Sequence, residues 1–217
     1  MVERLQEALK GATIVDLDGS LLSGNSMHVF MKRLPGMLMK RRSPGAAISA
    51  LWQTWLRSMH IVSHSSMKWH LTRIARLHLQ DSDWEDLAET IAQSINPHVR
   101  DLVESRRKLG CLTYIATAAI EEYTFPLCRL LGYEGAIATR FTDDKAEYEE
   151  MKGSSKLENI EQLLAKENLR LESFITDHPD DLPTAKAYPN LTVVVNPAQK
   201  TADQFREVGV TRYLICE

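Results

Sequence analysis

The sequence of 217 residues has few cysteines, and those it has are isolated. Cys111, Cys128 and Cys216 form no CxxC pair, and an odd number of single cysteines is typical of a reduced protein. This argues against a disulfide scaffold, a zinc ribbon and a thioredoxin-like redox site. Glycine and proline are also scarce, at 10 and 8 residues, which excludes a fibrous or low-complexity chain.

Long hydrophobic runs are absent as well. No stretch reaches the roughly 18 consecutive apolar residues that a membrane-spanning helix needs. The opening segment, MVERLQEALKG, is charged and has no apolar centre, so we expect no secretory signal. Apolar residues make up 44% of the chain and charged residues 25%, as in ordinary globular proteins. We expect a soluble, cytoplasmic protein, with peripheral attachment to a membrane left open.

Acidic residues are missing from one window, Ser26–Gln80, which we call the basic window. It holds nine Lys or Arg and no Asp or Glu, although the whole chain has 26 basic and 29 acidic residues and a net charge of -3. Two interpretations stay open: a solvated basic face over a Met-rich core, or a surface for an anionic partner. Such a partner could be a phosphorylated substrate, an anionic membrane or nucleic acid. No RNP, KH or zinc-finger pattern occurs, so nucleic acid is not expected.

The hydrophobic pattern predicts one strand, a long helical region, and then alternating strands and helices. A short helix over Glu3–Lys10 precedes the first strand, Ala12–Val15. The predicted helices of the middle region are Pro44–Val62, Ser63–Leu79, a capping-box helix from Ser82 to about Ile95, and Pro97–Leu109. The later predicted strands are Cys111–Ala116, Gly135–Phe141, Ser173–Thr176, Leu191–Val195 and Thr211–Cys216. Helices are predicted up to about Leu131 and over Ser155–Glu167, Asp180–Ala187 and Thr201–Val208.

This order predicts an α/β fold, a three-layer doubly wound parallel sheet with a helical cap inserted after its first strand. We expect a catalytic core formed by residues 1–22 and 104–217 and a cap formed by residues 23–103. Within the cap, Trp52 and Trp55 fit either the cap core or the apolar side of an interfacial helix.

Polar side chains follow the predicted strands at the edge where parallel sheets bind ligands. They are Asp16 and Asp18 after the first strand, Thr117 after the second, Lys156 after the third, and Asp177, Asp180 and Asp181 after the fourth. Clustered carboxylates repel one another, so they need a cation. Oxygen donors without neighbouring Cys or His favour Mg²⁺ over zinc.

These residues lie in four ordered motifs: IVDLDGS at 14–20, YIATA at 114–118, Lys156 within KGSSK, and FITDHPDDLP at 174–183. Together they resemble the haloacid dehalogenase superfamily over the whole chain. The last motif is similar to the SDSxxDLP form of the phosphoserine-phosphatase-like branch, subfamily IB, whose helical C1 cap also follows the first motif. Because dehalogenases lack the second Asp that is present here as Asp18, the resemblance implies a phosphatase.

The resemblance also implies a role for each residue. Asp16 would be the nucleophile that forms an aspartyl-phosphate. Asp18 would protonate the leaving group and then deprotonate the attacking water. Thr117 would donate a hydrogen bond to the phosphoryl group, and Lys156 would neutralise its charge.

A Mg²⁺ ion would be bound by Asp16, Asp177 and the backbone carbonyl of Asp18. Asp181 would orient Lys156 or a metal-bound water, and Asp180 is either a second-shell ligand or an acid at a helix N-terminus. The chain departs from the branch at Ser20, where Thr is usual, and at His178, where Ser is usual. His178 either caps the following helix or reaches the phosphoryl pocket.

The cap should select the substrate, and Asn25, His28 and Arg33 are substrate-binding candidates because they follow Asp18 closely. The leading hypothesis is a Mg²⁺-dependent phosphomonoesterase for a small phosphorylated metabolite. A lipid phosphatase of the phosphatidylglycerophosphate type, with its cap at an anionic membrane surface, is a second hypothesis. A third is a non-catalytic binding module on the same fold. The oligomeric state stays open.

Overall fold

The computed structural model describes residues 9–216. The predicted helix over Glu3–Lys10 lies outside these residues except for its last two positions, and Lys10 begins a strand instead. The strands are β1 (Lys10–Val15), β2 (Leu112–Ile120), β3 (Gly135–Thr139), β4 (Leu169–Thr176), β5 (Thr192–Val195) and β6 (Arg212–Leu214). The helices are α1 (Ser26–Lys40), α2 (Pro44–Ser58), α3 (His64–His78), α4 (Asp81–Ala92), α5 (Pro97–Lys108), α6 (Glu121–Leu131), α7 (Gly153–Lys166), α8 (Leu182–Ala187) and α9 (Gln199–Glu207).

The strands form one parallel sheet in the order β3-β2-β1-β4-β5-β6. This confirms the predicted doubly wound sheet. Strand β1 lies between β2 and β4, so Ala12 pairs with both Leu112 and Leu171. The carboxyl ends of these three strands therefore meet at one edge, where the strand order reverses and α/β folds bind their ligands.

Alternate residues of β1 point to opposite sides of the sheet, as the pleat requires. Ile14 packs into the core under α7, with Ile160 and Leu164. Val15 belongs to the larger core on the other side, which includes Tyr123 of α6. Burial on both faces explains why the first strand appears as an uninterrupted apolar run.

Helices α1–α4 are inserted between β1 and the α5–β2 unit. Their apolar side chains continue the larger core of the sheet: Phe30 of α1 packs at 5.7 Å from the Trp84 ring of α4 and 6.0 Å from the Tyr123 ring of α6. The predicted capping box of α4 is wrong by two residues. The helix begins at Asp81, and Gln80 and Asp83 form the box because the Asp83 carboxylate accepts from the Gln80 backbone at 2.9 Å.

Helix α2 turns its apolar side outwards, so the interpretation of Trp52 and Trp55 as cap core is wrong. Their side chains are 55% and 47% exposed, and the rings stack 4.7 Å apart. We call the exposed set the α2 stripe: Ile48, Leu51, Trp52, Trp55 and Met59. The spacing correctly predicts an amphipathic helix, but the periodicity of one helix does not tell which side faces the protein.

Within residues 9–216, no helix has the length and apolarity needed to cross a membrane.

Candidate active site

A tight turn after β1 presents the first two carboxylates. The Asp16 N–H donates to the Ile175 carbonyl at 2.8 Å, which continues the sheet pairing for one residue beyond β1. The Leu21 N–H then donates back to the Asp16 carbonyl at 3.1 Å, so the chain folds over itself. Gly19 has φ +80°, a left-handed conformation that costs glycine little. Asp16 is buried directly after the end of β1.

Lys156 joins two carboxylates from different strand ends. Its Nζ lies 2.9 Å from Asp16 Oδ1 and 2.7 Å from Asp181 Oδ1, and all three side chains are nearly fully buried. Asp181 is held in turn by the Thr176 hydroxyl, which donates to Oδ2 at 2.6 Å. Burial alone would lower the pKa of Lys156, but the two carboxylates outweigh it and raise that pKa. The lysine therefore stays a cation in the buried site.

Asp18 is held by the first turn of α1. Its Oδ1 accepts from the Ser26 N–H at 2.6 Å, and its Oδ2 accepts from the Ser26 hydroxyl at 3.0 Å. The Ser26 hydroxyl also lies 3.0 Å from the Tyr123 hydroxyl. Burial raises the pKa of Asp18, although the Ser26 hydrogen bonds oppose this. A carboxyl group with a raised pKa is suited to exchanging protons with a substrate.

Asp177 follows β4 and packs directly against the turn that carries Asp18. The Ser20 hydroxyl donates to Asp177 Oδ1 at 2.8 Å. A Cβ placed on Gly19 would lie 2.2 Å from Asp177 Oδ2. Only glycine therefore lets this carboxylate approach the backbone so closely.

Thr117 lies within β2, because the strand continues past Ala116 to Ile120, so the prediction that Thr117 follows the strand is wrong. Its side chain is buried. Its hydroxyl oxygen accepts from the Ala119 N–H at 3.1 Å, which leaves the hydroxyl proton available to another acceptor. The neighbouring Ala118 carbonyl accepts from Lys68 Nζ at 3.0 Å and from the Thr139 hydroxyl at 2.6 Å. These bonds fix the segment of β2 on which Thr117 lies.

The strand ends and the inserted helices enclose one cavity of about 290 Å³. The predicted site residues that line it are Asp16, Asp18, Asn25, Thr117, Lys156, His178, Asp180 and Asp181. Its other walls come from Met27, His64, Lys68, Ala118, Ala119, Glu150 and Lys152. The structure thus brings together residues that are up to 165 positions apart in the chain, between Asp16 and Asp181.

Two substrate candidates do not line this cavity. Arg33 points elsewhere, and its guanidinium donates to the Thr90 hydroxyl of α4 at 2.7 Å. Two helical turns separate Arg33 from Ser26, so closeness in sequence to Asp18 does not bring it to the site. His28 is exposed on α1. Asn25 serves as the N-cap of α1 and accepts from the His28 N–H at 3.0 Å.

His178 and Asp180 lie on the turn between β4 and α8. The His178 Nδ1 accepts from the Asp180 N–H at 3.1 Å, so the imidazole caps the short 3₁₀ turn at 179–181. His178 also lines the cavity, and its contact with a phosphoryl group stays a prediction. Asp180 is exposed at the cavity rim.

Sequence analysis missed a buried ion pair in the cavity wall. Lys68 of α3 lies 2.5 Å from Glu150, and Lys152 lies 3.1 Å from the other oxygen of the same carboxylate. Burial would raise the pKa of Glu150, but Lys68 outweighs that effect and lowers it. The sequence does not predict this pairing, because Glu150 lies 82 positions from Lys68 in the chain.

The oxygen donors that are predicted to hold a magnesium ion lie just after β1 and β4. No group of three or more His, Cys, Asp or Glu side chains in residues 9–216 has metal-binding geometry. The predicted magnesium ligands, however, include only two carboxylates, and the third ligand is a backbone carbonyl. Asp177 lies near enough to Asp16 to raise its pKa, although burial is the larger cause. The space left by the missing Gly19 side chain admits the Asp177 carboxylate, and hard oxygen donors suit Mg²⁺.

Comparisons with known proteins agree with this geometry. Residues 13–186 match the family described as haloacid dehalogenase-like hydrolase. The chain is 27% identical to a histidinol-phosphatase of Neisseria meningitidis serogroup C (strain 8013), over 93% of this chain and 97% of the relative.

Solved structures share the fold. A protein of unknown function from Bordetella pertussis Tohama I superposes with a TM-score of 0.71 at 17% identity, over 95% of this chain and 99% of that one. A phosphoserine phosphohydrolase-like protein from Francisella tularensis subsp. tularensis SCHU S4 superposes with a TM-score of 0.57 at 15% identity, over 94% of both chains. The chain belongs to the haloacid dehalogenase-like hydrolase family.

Proposed function

We propose that the protein is a Mg²⁺-dependent phosphomonoesterase that acts on a small phosphorylated metabolite through an aspartyl-phosphate. One observation carries this proposal: Asp16, Asp18, Thr117 and Lys156 come from three separate segments and line the same small cavity. A non-catalytic binding module would not need a complete set of these groups.

In the first half-reaction Asp16 attacks the phosphorus atom of the substrate. Lys156 bonds to Oδ1 of Asp16, so Oδ2 is the oxygen that forms the new bond to phosphorus. The ester bond to the leaving alkoxide breaks, and protonated Asp18 transfers its proton to that oxygen. Thr117 donates its free hydroxyl proton to a phosphoryl oxygen, and Lys156 neutralises the charge that develops there.

In the second half-reaction the roles of Asp18 reverse. Its carboxylate removes a proton from a water molecule, and the water oxygen attacks the phosphorus of the aspartyl-phosphate. The bond between phosphorus and Asp16 breaks, which releases inorganic phosphate and regenerates both carboxyl groups. The two Ser26 hydrogen bonds hold Asp18 in one position throughout.

Asp16, Asp177 and the Asp18 carbonyl would hold the Mg²⁺ ion. When bound, the ion would neutralise the clustered carboxylates and polarise a phosphoryl oxygen. Residues 1–22 and 104–217 would form the catalytic core. Residues 23–103 would form the cap, which supplies Asn25, His64 and Lys68 to the cavity wall.

The proposal is tested by hydrolysis of p-nitrophenyl phosphate, with Mg²⁺ and with EDTA. We expect wild-type activity to disappear in EDTA and to return with added Mg²⁺. Asp16→Asn should lower kcat by about a thousandfold or more, because the amide is not a nucleophile. Asp101→Asn, on the exposed surface of α5, is the matched control and should keep full activity. EDTA-resistant turnover, or an active Asp16→Asn variant, would overturn the site assignment.

Assays with a panel of phosphomonoesters would narrow the range of candidate substrates. Histidinol phosphate and phosphoserine come first, because proteins similar to this chain carry those names. Both are small amine-bearing phosphates whose dimensions suit a cavity of about 290 Å³. Turnover of p-nitrophenyl phosphate without turnover of any amine-bearing ester would leave the chemistry intact and reject this substrate class.

A further inference from the structure

The α2 stripe is an apolar surface that the fold does not use. Its five side chains recur at helical spacing along one side of α2, and each is 47–68% exposed. Ile61, just beyond the helix, adds a sixth side chain at 63% exposure. Globular proteins seldom leave so large a continuous apolar surface in water unless it contacts a partner.

The opposite side of α2 attaches the helix to the protein. Only Ala47 and Ala50 are fully buried there, so the packing of α2 relies on small side chains. The large side chains of the α2 stripe therefore add little to the stability of the fold. Two stacked tryptophans at such a position indicate binding to something outside the described chain.

The charges around the α2 stripe have one sign. Residues 41–67 contain three arginines and no Asp or Glu. Arg41 is bound to Asp83 at 2.7 Å. For Arg42 and Arg57, no carboxylate lies within salt-bridge distance in residues 9–216. Arg57 is half-buried on the side of α2 away from the stripe, whereas Arg42 is exposed just before the helix begins, so Arg42 is the cation that the stripe can present with its charge not neutralised by residues 9–216.

We propose that the α2 stripe docks on an anionic lipid bilayer, with Trp52 and Trp55 in the headgroup region and Arg42 near the lipid phosphates. A helix with Trp on its apolar side and basic residues beside it has the composition of interfacial helices. Clustered Lys and Arg residues near a membrane are attracted to its negative surface. A second copy of the chain is the less favourable occupant, because a symmetric contact would bring two basic windows together.

The docking surface also lies beside the candidate active site. His64 of α3 lines the cavity, and burial lowers the pKa of its imidazole. Helix α2 packs directly against α3, which also contributes Lys68 to the cavity wall. Docking would therefore hold the cavity close to the membrane surface. The proposal does not depend on the phosphatase mechanism proposed above.

Vesicle co-sedimentation tests the docking. Wild-type protein is mixed with vesicles of phosphatidylcholine alone, or of phosphatidylcholine and phosphatidylglycerol in equal parts. We expect binding to the anionic vesicles only, and weaker binding at high salt. The double variant Trp52→Ser/Trp55→Ser should bind at least about tenfold more weakly. Arg42→Gln should lose about fivefold.

Controls separate docking from misfolding and from self-association. Leu109→Ser, at an exposed leucine outside the basic window, should bind as wild type does. Thermal unfolding should be unchanged in all variants, because the substituted side chains are not in the core. Absence of vesicle binding would overturn the proposal, as would equal binding to neutral vesicles. Sedimentation velocity that shows a dimer dissociating in the double variant would assign the stripe to a second copy and also overturn it.

Discussion

At the scale of single residues, Gly19 is the position where the turn has least freedom. Its backbone is left-handed at φ +80°, and the Asp177 carboxylate occupies the space where a side chain would begin. Asp18 immediately precedes it and Ser20 follows it, so a shift here would move both neighbours. Substitution should therefore disturb the geometry of the site more than the core of the protein.

We expect Gly19→Ala to lower kcat/KM by about a hundredfold, because a displacement near 1 Å at reacting groups has an effect of this size. The left-handed conformation should also lower the free energy of unfolding by about 1 kcal/mol. Enzyme kinetics and urea unfolding measure the two effects. Gly24→Ala is the control, since nothing lies within 4 Å of its added Cβ. Near-normal activity of Gly19→Ala would contradict the close approach of Asp177.

Sequence motifs locate residues that follow strands, because the register of a buried strand fixes where its carboxyl end lies. Asp16 and Asp181 are predictable for this reason, whereas Thr117 lies inside β2. The structure brings all three to one cavity. Ser26 and Lys68 could not be found in the same way. Ser26 acts from the N-terminus of a helix, and Lys68 acts through a long side chain. The direction of each depends on how the inserted helices pack.

At the scale of elements, Lys68 connects α3 to the segments around the site. Its ammonium contacts Glu150 and the Ala118 carbonyl, and it is almost fully buried. Removing one partner of a buried pair leaves the other charge without compensation, which is strongly destabilising. This pair therefore joins the inserted helices to the sheet by charge as well as by packing.

We expect Lys68→Met to lower the free energy of unfolding by about 3 kcal/mol, as measured by chemical denaturation. Lys32→Met, at an exposed position of the basic window, should change it little. A loss no greater than that of the control would show that the pair does not stabilise the fold.

The loss in Lys68→Met should also depend on pH. The folded state lowers the pKa of Glu150 below its ordinary value of 4.5, so the pair contributes its full stability above that pH. As the pH falls through the lowered pKa, Glu150 gains a proton and the contribution disappears. The difference in stability between wild type and Lys68→Met should therefore shrink in acid. A difference that is constant down to the lowest pH at which the protein folds would contradict this.

Helical periodicity predicts α2 but not the direction of its apolar side. The pattern of large apolar residues is the same whether they face the core or solvent. In α2 the choice depends on Ala47 and Ala50, whose small side chains let the helix lie close to its neighbours. The start of α4 was missed for a similar reason, because the Asp83 side chain is also bound by Arg41 from a distant segment.

At the scale of the whole molecule, the basic window and the acidic remainder of the chain attract each other. Lys40, Arg41, Lys68 and Arg76 pair with Asp86, Asp83, Glu150 and Glu122 respectively. Every one of these acids lies outside the basic window. Part of the window thus serves to hold the molecule together, and the interpretation as a purely solvated face is too simple.

The three free thiols should report on global unfolding. Cys128 is buried, and burial raises its pKa to about 12, whereas Cys111 and Cys216 are half-buried. Because the thiolate is the reactive form, we expect Ellman's reagent to modify two thiols of the native protein and the third only in denaturant. Cys128→Ser should remove only the thiol that becomes reactive in denaturant. Rapid modification of all three thiols in the native protein would contradict the burial of Cys128.

The position of β1 in the sheet has a consequence for the order of folding. This strand is made early in synthesis, yet its partners lie about 100 and 159 residues later, as the pairs Ala12 with Leu112 and Ala12 with Leu171 show. The ribosome must therefore complete all of α1–α5 before β1 gains its first neighbour, and β4 must follow before the strand is enclosed. Closing loops of this length is slow. During that interval the apolar strand β1 has no paired neighbour. We therefore expect the nascent chain to be most prone to aggregation and to chaperone binding at the segment that includes Asp16.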